Sequence, residues 1–509
     1  MTAASARPSA RALSALVFGA GTGTLAVEIS ASRLLAPYYG SSTIVWANLI
    51  GLVLLALSLG YWLGGKLADR RPEPRLLGLL VLGAGLYVAI LPFVTDPILD
   101  VAARGLDRLS AGAVVGSFFA TLVLFAPPVF VLGMVSPFAI RLALDTVGSA
   151  GEVAGRLYAL STAGSLLGTF LPALVTIPLI GTQRTLIASA AVLAAASSPL
   201  LGGRGLAAAA AVGTLLAVPP GVIKASDGRI LHEEESRYQF IQVVERGGVR
   251  RLYLNEGVAV HSVYRPDTVL TGGLWDALLV IPALLDREPR SLAVLGNAGG
   301  TVARAYGSFW PEVEIDGVEI DPAVSDVGLR LFGMGENPRL RVVDADARPF
   351  LRRTDRRYDV IIVDAYHQPY VPFYLATRQF FELARSRLAP GGVLALNVAT
   401  VPGDRRLRDA LAGTVAAVFP EARVWPVLRF NHFVVGLTDP LRSHRQVPAP
   451  LRALAGLLES QLSAPVAASA DPWTDDRAPV EWVTDRMILE YAARGGRLDE
   501  EPLPTSPSK

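Results

Sequence analysis

The stretch SLAVLGNAGGT, Ser291–Thr301, decides how the chain reads. Ser291–Leu295 is a short apolar run of strand length, and Gly296-Asn297-Ala298-Gly299-Gly300 stops it with a tight, glycine-rich turn. A helical pattern then runs from Thr301 to Phe309. Strand, turn and helix in that order open a βαβ unit. The pattern repeats downstream. Val313–Val318 is a second predicted strand and ends on Glu319. Leu340–Val343 is the third, followed by Asp344 and Asp346, and Tyr358–Val363 (YDVIIV) is the fourth, followed by Asp364. Pro390-Gly391-Gly392 introduces a fifth, Val393–Asn397, and Arg423–Leu428 with His432–Leu437 reads as an antiparallel pair closing the sheet. Such alternation predicts a parallel sheet covered by helices on both faces. Ligands of these sheets sit at the carboxyl ends of the strands. Gly296, Gly299 and the strand-end acids all fall there.

Upstream, Asp227–Tyr264 looks β-rich. Arg237–Glu245 and Val249–Leu254 flank Gly247-Gly248, a hairpin signal. Before that the composition changes. Residues 12–220 hold 19 charged side chains in 209, against 71 in the 289 that follow. Apolar stretches near bilayer length fall at Ala12–Ile29, Thr43–Gly65, Leu76–Thr95, Ala113–Ile140, Leu157–Ile180, Thr185–Leu201 and Leu206–Pro219. The last two are short, so six or seven spans are expected. The fold class is therefore an α-helical multi-pass membrane domain followed by an α/β domain, a Rossmann-like doubly wound sheet preceded by a small β-hairpin domain. The expected boundaries are 1–220 for the spans, 221–285 for the β-rich part, 286–440 for the doubly wound sheet and 441–509 for a helical extension with a disordered tail from Leu498. Lys66, Arg70, Arg71 and Arg75 share one short loop, which the positive-inside rule assigns to the cytoplasm with the N-terminus. Six spans then return the C-terminal half to that side. Glu28 and Arg33 flank the end of the first stretch, and Gly164, Ser165 and Gly168 offer small residues for close helix packing.

Composition excludes other classes. The formal net charge is +2 and no long basic run occurs, which argues against a nucleic-acid partner. The chain has no cysteine, so disulfides, thiolate metal sites and cysteine nucleophiles are ruled out. His261, His367 and His432 are scattered without ligand spacing, so no metal is expected.

The strand-end residues suggest a chemistry. The glycine turn lets backbone approach a ligand closely. Glu319 follows Gly296 by 23 residues, the place where an acid binds ribose hydroxyls in dinucleotide folds. The turn lacks a full G-x-G-x-x-G and no basic phosphate clamp is evident, so a nucleoside fits better than a dinucleotide. Asp346-Ala347 is placed to meet an adenine edge. Asp364 ends the fourth strand beside the reacting centre, where a carboxylate takes a proton from an amine.

These motifs together resemble the spermidine synthase, or polyamine aminopropyltransferase, family. Glu235–Ile241 (ESRYQFI) looks like its E-S-x-Y-Q-x-I strand, and Leu254–Gly257 (LNEG) is similar to its L-x-D-G turn. Leu295–Thr301 sits where the family has G-G-G-D-G-G-T; Val318–Asp321 matches V-E-I-D, and Asp346–Leu351 matches D-A-R-x-F-L. Val363–His367 falls on its D-S-S-D-P loop. The whole chain resembles the membrane-fused spermidine synthase-like proteins of bacteria, with Pro369–Phe373 and Thr474–Glu481 also similar to that subgroup. The resemblance implies a methyltransferase-type sheet and an enzyme of polyamine biosynthesis. Such an enzyme transfers aminopropyl from decarboxylated S-adenosylmethionine to a polyamine or other amine, releasing methylthioadenosine without a metal. It implies that Gln239, Gly296, Gly299, Glu319, Asp346 and Ala347 hold the nucleoside and that Asp364 accepts the proton. Family members commonly form homo-oligomers.

The departures cluster on the amine side. Ala298 replaces the family's loop aspartate, Leu274-Trp275-Asp276 replaces Y-H-E, His367 replaces the second aspartate of D-S-S-D, and Val260, beside His261, replaces a glutamine. A multivalent cation needs carboxylates, and Asp276, Glu256, Asp475 and Asp476 are the candidate replacements. Trp275, Tyr366 and Tyr370 could line an aromatic pocket. Two other readings remain open: a methyltransferase using S-adenosylmethionine, and a transporter or sensor with an inactive adenosyl-binding domain.

Overall fold

The computed structural model describes residues 8–39, 43–106, 112–144, 150–219, 224, 226–255, 259–366, 370–442 and 445–495. The chain divides into two compact units. One comprises Met1–Ala225, Glu233–Phe240 and Asn255–Gly257; the other comprises Ser226–His232, Ile241–Leu254 and Val258–Lys509.

The first unit is helical. Among the described residues five helices are long and apolar enough to cross a membrane: Ala10–Tyr39, Val45–Arg70, Pro74–Thr95, Val115–Ala143 and Ala150–Leu201. The fifth run, Ala150–Leu201, is 52 residues long and takes in two of the expected stretches, Leu157–Ile180 and Thr185–Leu201. They meet at Gly181, whose φ of 80° breaks the helical path. Gly203–Ala217 is a shorter apolar helix. The first helix is also longer than expected. It runs through Glu28 and Arg33, which therefore lie within it rather than at its end. The small residues act as anticipated. A side chain at Gly164 or Gly168 would put its Cβ 2.1 Å from the carbonyl oxygens of Phe18 and Thr22 respectively. Helix Ala150–Leu171 thus lies backbone to backbone against Ala10–Tyr39.

The second unit carries two sheets. Strands β1 (Arg229–Glu235), β2 (Phe240–Arg246), β3 (Val249–Leu254) and β4 (Val260–Tyr264) form the smaller one in sequential order, with β2–β3 and β3–β4 antiparallel. The predicted strand Arg237–Glu245 begins three residues late, because Ser236 turns the chain. Its hydroxyl accepts the Tyr238 and Gln239 N–H groups.

The larger sheet has seven strands: β5 (Ser291–Leu295), β6 (Glu314–Glu319), β7 (Leu340–Asp344), β8 (Tyr358–Val363), β9 (Leu388–Ala399), β10 (Glu421–Pro426) and β11 (Asn431–Leu437). Their order is β10-β11-β9-β8-β5-β6-β7, with β5 to β9 parallel and β10 and β11 antiparallel at one edge. Central strands bury both faces, which is why β5 and β8 read as unbroken apolar runs. Alternate residues serve opposite cores. Leu292, Val294, Val360 and Ile362 pack into one cluster, and Ala293, Leu295, Ile361 and Val363 into the other. From β5 the chain proceeds outward through β6 and β7, then returns to place β8 on the other side of β5. The strand order reverses between β5 and β8, and a ligand crevice opens at such a switch point.

Candidate active site

The switch point is built from backbone. Asp364 N–H donates to the Leu295 carbonyl at 2.9 Å, tying the ends of β5 and β8 together. Gly296 then turns sharply with φ 90°. A Cβ there would lie 2.5 Å from Ala365 Cα and 2.6 Å from the Asp364 carbonyl oxygen. Gly296 and Asn297 both donate N–H to the Val318 carbonyl at 2.9 Å, which holds the turn over β6. Ala298, where the resembling family has an acid, adopts a φ of 45°. A non-glycine residue pays about 1 kcal/mol for that left-handed conformation.

Glu319 locks the turn from behind. Its Oε2 accepts the Ala298 N–H at 2.9 Å and its Oε1 accepts the Asp321 N–H at 3.1 Å. Burial is the main influence on its acidity and outweighs those donors, so its pKa is pushed up to about 7. Asp346 is engaged on both oxygens. One caps the helix Ala347–Arg353 through the Arg348 N–H at 3.0 Å, and the other accepts the Tyr374 hydroxyl at 3.1 Å.

A cavity of about 230 Å³ opens on the other side of the turn. Gly296, Asn297 and Ala298 form one edge and Asp364 reaches in from the end of β8. Residues 259–262 of the smaller sheet, Trp275, the end of β9 and the β10–β11 turn supply further walls. Helix Val480–Ala493 adds Thr484, Met487 and Ile488. Asp364 accepts the Asn397 amide at 2.8 Å and also the Trp275 indole N–H. Burial nevertheless pushes its pKa up to about 6. Asn397 is itself held, because Asn431 donates to its Oδ1 at 3.1 Å and Tyr366 donates to its carbonyl at 2.9 Å. An Asn431–Asn397–Asp364 relay thus orients the carboxylate.

The expected site residues therefore divide. Gly296 and Asp364 line the cavity, as do Trp275 and Tyr366. Glu319 stands behind its rim. Asp346, Ala347 and Gly299 do not line it, and the Gly299 N–H donates to Ser262 Oγ at 2.8 Å. Gln239 is buried in the first unit and is not part of the lining. Tyr370 turns away and bonds Asp485. His261 lines the cavity, whereas His432 meets Thr400 at 3.0 Å and burial lowers its pKa to about 4.

The candidate replacement acids are elsewhere. Asp276 accepts Thr271 N–H and Oγ1 and the Gly272 N–H at 2.8–2.9 Å, capping its own turn. Asp475 makes a two-pronged pair with Arg348 at 2.8 and 2.6 Å and accepts Thr377 Oγ1. Asp476 is exposed and does not line the cavity. Glu256, His367 and the tail from Leu498 lie outside the described residues. Among the described lining residues Asp364 is the one acid.

Sequence reasoning missed Asn397, Asn431 and Thr484. Asn397 carried a usable signal, since it ends a strand of the same sheet as Asp364. Thr484 carried none, because its helix lies about 120 residues along the chain from Asp364.

Comparison with known proteins agrees with this geometry. Residues 276–425 match the spermine/spermidine synthase domain. A probable polyamine aminopropyl transferase of Bifidobacterium longum is 36% identical over 191 residues, 37% of this chain and 42% of that protein. A polyamine aminopropyltransferase of Vibrio vulnificus is 28% identical over 239 residues, 45% of this chain and 79% of that protein. Residues 276–425 are thus a spermine/spermidine synthase-like domain. The chain spans less than half the length of the first of these relatives. The spermidine synthase-like half is also similar to an eEF1A lysine and N-terminal methyltransferase of Bos taurus, 32% identical over 155 residues, 28% of this chain and 22% of that protein.

Proposed function

We propose that the protein is a membrane-bound, aminopropyltransferase-type enzyme that takes decarboxylated S-adenosylmethionine as cosubstrate and an amine as acceptor. One observation carries the reading. Asp364, a half-buried carboxylate and the one acid among the described lining residues, stands in a cavity at the switch point of the sheet, inside the segment that matches the spermine/spermidine synthase domain.

The residues fit such a ligand. Asn297 Oδ1 is buried at the cavity edge without a partner among the described residues, leaving an acceptor for a ligand's donor. Glu319 uses its oxygens on backbone N–H groups, and a carboxylate has about four acceptor positions, so capacity remains for ribose hydroxyls. Asp346 and Ala347 at the end of β7 are the proposed adenine contacts, with Gly299 completing the nucleoside set of this unit. When bound, the sulfonium supplies an activated carbon and a neutral thioether leaving group.

The protein's part is orientation and proton transfer. The relay from Asn431 through Asn397 aims the Asp364 carboxylate into the cavity. With its pKa near 6, Asp364 is largely ionised at neutral pH and is a stronger base than an ordinary carboxylate. It holds the amine and takes its proton as the new bond forms.

The helical unit is proposed to be a multi-pass membrane anchor. Its helices leave large apolar side chains exposed, among them Leu54, Trp62, Ile90, Phe119 and Leu179. Water does not tolerate so much contiguous apolar surface, and lipid does. Lys66, Arg70, Arg71 and Arg75 do not share a loop as expected but cluster where helix Thr43–Arg70 gives way to helix Pro74–Leu106, and this basic cluster supports placing the synthase-like half in the cytoplasm.

Calorimetry on the purified full chain tests the reading, with methylthioadenosine, decarboxylated S-adenosylmethionine and S-adenosylmethionine as ligands. Preference for the decarboxylated form is expected. Preference for intact S-adenosylmethionine would make the protein a methyltransferase, a reading favoured by the similarity to the Bos taurus enzyme. Binding of none of them would end the enzymatic reading.

A further inference from the structure

The cavity at Asp364 is poorly suited to a polyamine. A polyamine brings two or more ammonium groups, and each one taken from water needs its own anionic partner. Among the described lining residues only Asp364 offers one. Of the candidate replacement acids among the described residues, Asp276 is committed to Thr271 and Gly272, Asp475 to Arg348, and Asp476 does not line the cavity. The one arginine of the lining, Arg429, is exposed at the β10–β11 turn. It stacks 5.3 Å from the Phe430 ring centroid and donates to the Tyr491 hydroxyl at 3.2 Å, so its positive charge is held at the cavity. A second ammonium would meet repulsion there.

Most of the exposed lining surface is apolar, with Val401, Leu428, Phe430, Met487 and Ile488 contributing to it. A dry cavity of roughly 150 Å³ takes benzene, so about 230 Å³ has room for one ring and a short chain. Among the polar side chains of the lining, one hydroxyl stands out. Thr484 Oγ1 is 99% buried by residue, lines the cavity and has no partner among the described residues. A buried hydroxyl without a partner is costly, and a ligand hydroxyl would satisfy it.

We propose that the acceptor is a singly charged amine with an apolar body, such as an arylalkyl monoamine, and that Thr484 and Arg429 select it over polyamines. This rests on the aminopropyl-transfer reading given above. The bound ammonium first passes one proton to the Asp364 carboxylate, and the nitrogen lone pair so freed forms a bond to the aminopropyl carbon. The bond from that carbon to the sulfonium breaks, and its electron pair stays on sulfur as neutral methylthioadenosine. The product keeps its positive charge as the new secondary ammonium. Charge and atoms balance without any further reactant.

The test uses the full chain in detergent with decarboxylated S-adenosylmethionine, following methylthioadenosine release. Phenethylamine and tyramine are compared with 1,4-diaminobutane and spermidine. At least a tenfold higher kcat/KM for the two monoamines is expected. Thr484→Val should lower the rate with tyramine several-fold and leave phenethylamine unchanged. Arg429→Glu, an exposed substitution that leaves the core intact, should move the preference at least tenfold toward the diamine. Faster turnover of 1,4-diaminobutane or spermidine by the unaltered protein would overturn the inference while leaving aminopropyl transfer intact. Binding of methylthioadenosine without turnover of any of the four amines would overturn it too. Failure to bind either methylthioadenosine or the cosubstrate would instead defeat the underlying reading.

Discussion

The two sides of the glycine turn are built on opposite principles. Behind it, Glu319 and Asp346 keep the sequence pattern of the resembling family, and both are tied to neighbouring backbone or to Tyr374. In front of it, Asp364 stands in a cavity, steered by two side chains, with the other family acids absent or turned aside. The first side is rigid and pre-organised for a ligand of fixed shape. The second is a shaped apolar space with one charge. On the proposed reading the first side holds the nucleoside, and the second takes the acceptor and is where the chemistry can differ from that of the similar proteins.

The sharpest way to break this comparison is Asp364→Asn. We expect turnover to fall by about a thousandfold, as for loss of a positioned base, while calorimetry shows methylthioadenosine affinity within about threefold of the unaltered protein. A parallel collapse of nucleoside affinity would mean that the two sides are not separable. Gly296→Ala attacks the joint between them. Its Cβ would lie 2.5 Å from Ala365 Cα at a φ of 90°, so thermal melting should report a loss of roughly 2–3 kcal/mol. An unchanged melting temperature would contradict the close approach of the two strand ends.

Glu319→Gln should weaken methylthioadenosine binding by roughly 10–30-fold, the worth of a charge-assisted hydrogen bond. The pKa of about 7 adds a finer expectation. Ribose hydroxyls donate to the ionised acid, so binding at pH 7 should release part of a proton. Calorimetry in buffers of different ionisation enthalpy would detect it, and Glu319→Gln should abolish it.

The pH–rate profile sharpens the acceptor side. Asp364 must be ionised to take a proton, so kcat/KM should fall about tenfold per pH unit below about pH 6. The sign for stability is the reverse. A carboxyl whose pKa is raised on folding stabilises the fold only while protonated, and that contribution fades as pH rises from about 4 to 6. Asp475 behaves oppositely, because the Arg348 guanidinium holds its pKa below the usual carboxylate range. Its contribution is present at neutral pH and lost as the solution becomes strongly acidic. The smallest effect expected is therefore Asp475→Asn at pH 7.5. This pair is partly exposed, so stability should drop by no more than about 1 kcal/mol and amine turnover should stay within about twofold. A large loss of amine affinity would return Asp475 to the acceptor site.

Much of the fold was legible because its signals are local. β3, β5, β8 and the helix Thr301–Phe309 fall on their predicted residues, since Gly247-Gly248 before β3, the glycine turn between β5 and the helix, and the mostly apolar run of β8 leave little choice of boundary. The antiparallel closing pair was legible for the same reason. The spans were less so. Hydropathy separates Leu157–Ile180 from Thr185–Leu201, yet no loop intervenes, and only backbone geometry at Gly181 divides them. The long first helix, with Glu28 and Arg33 inside it, was missed because charged residues look like the end of an apolar stretch.

The amino-acid sequence by itself determined the strand order along the chain, the glycine turn after β5 and the acids at the strand ends. Each depends on a few adjacent residues. Tertiary structure alone decided which acids remain available. Asp475 meets Arg348 across 127 positions of sequence, Asn397 reaches Asp364 across 33, and Thr484 joins the same cavity from the C-terminal helix. A carboxylate's role follows from its hydrogen-bond partners and its burial. Both arise from contacts between distant segments, and no local pattern encodes them.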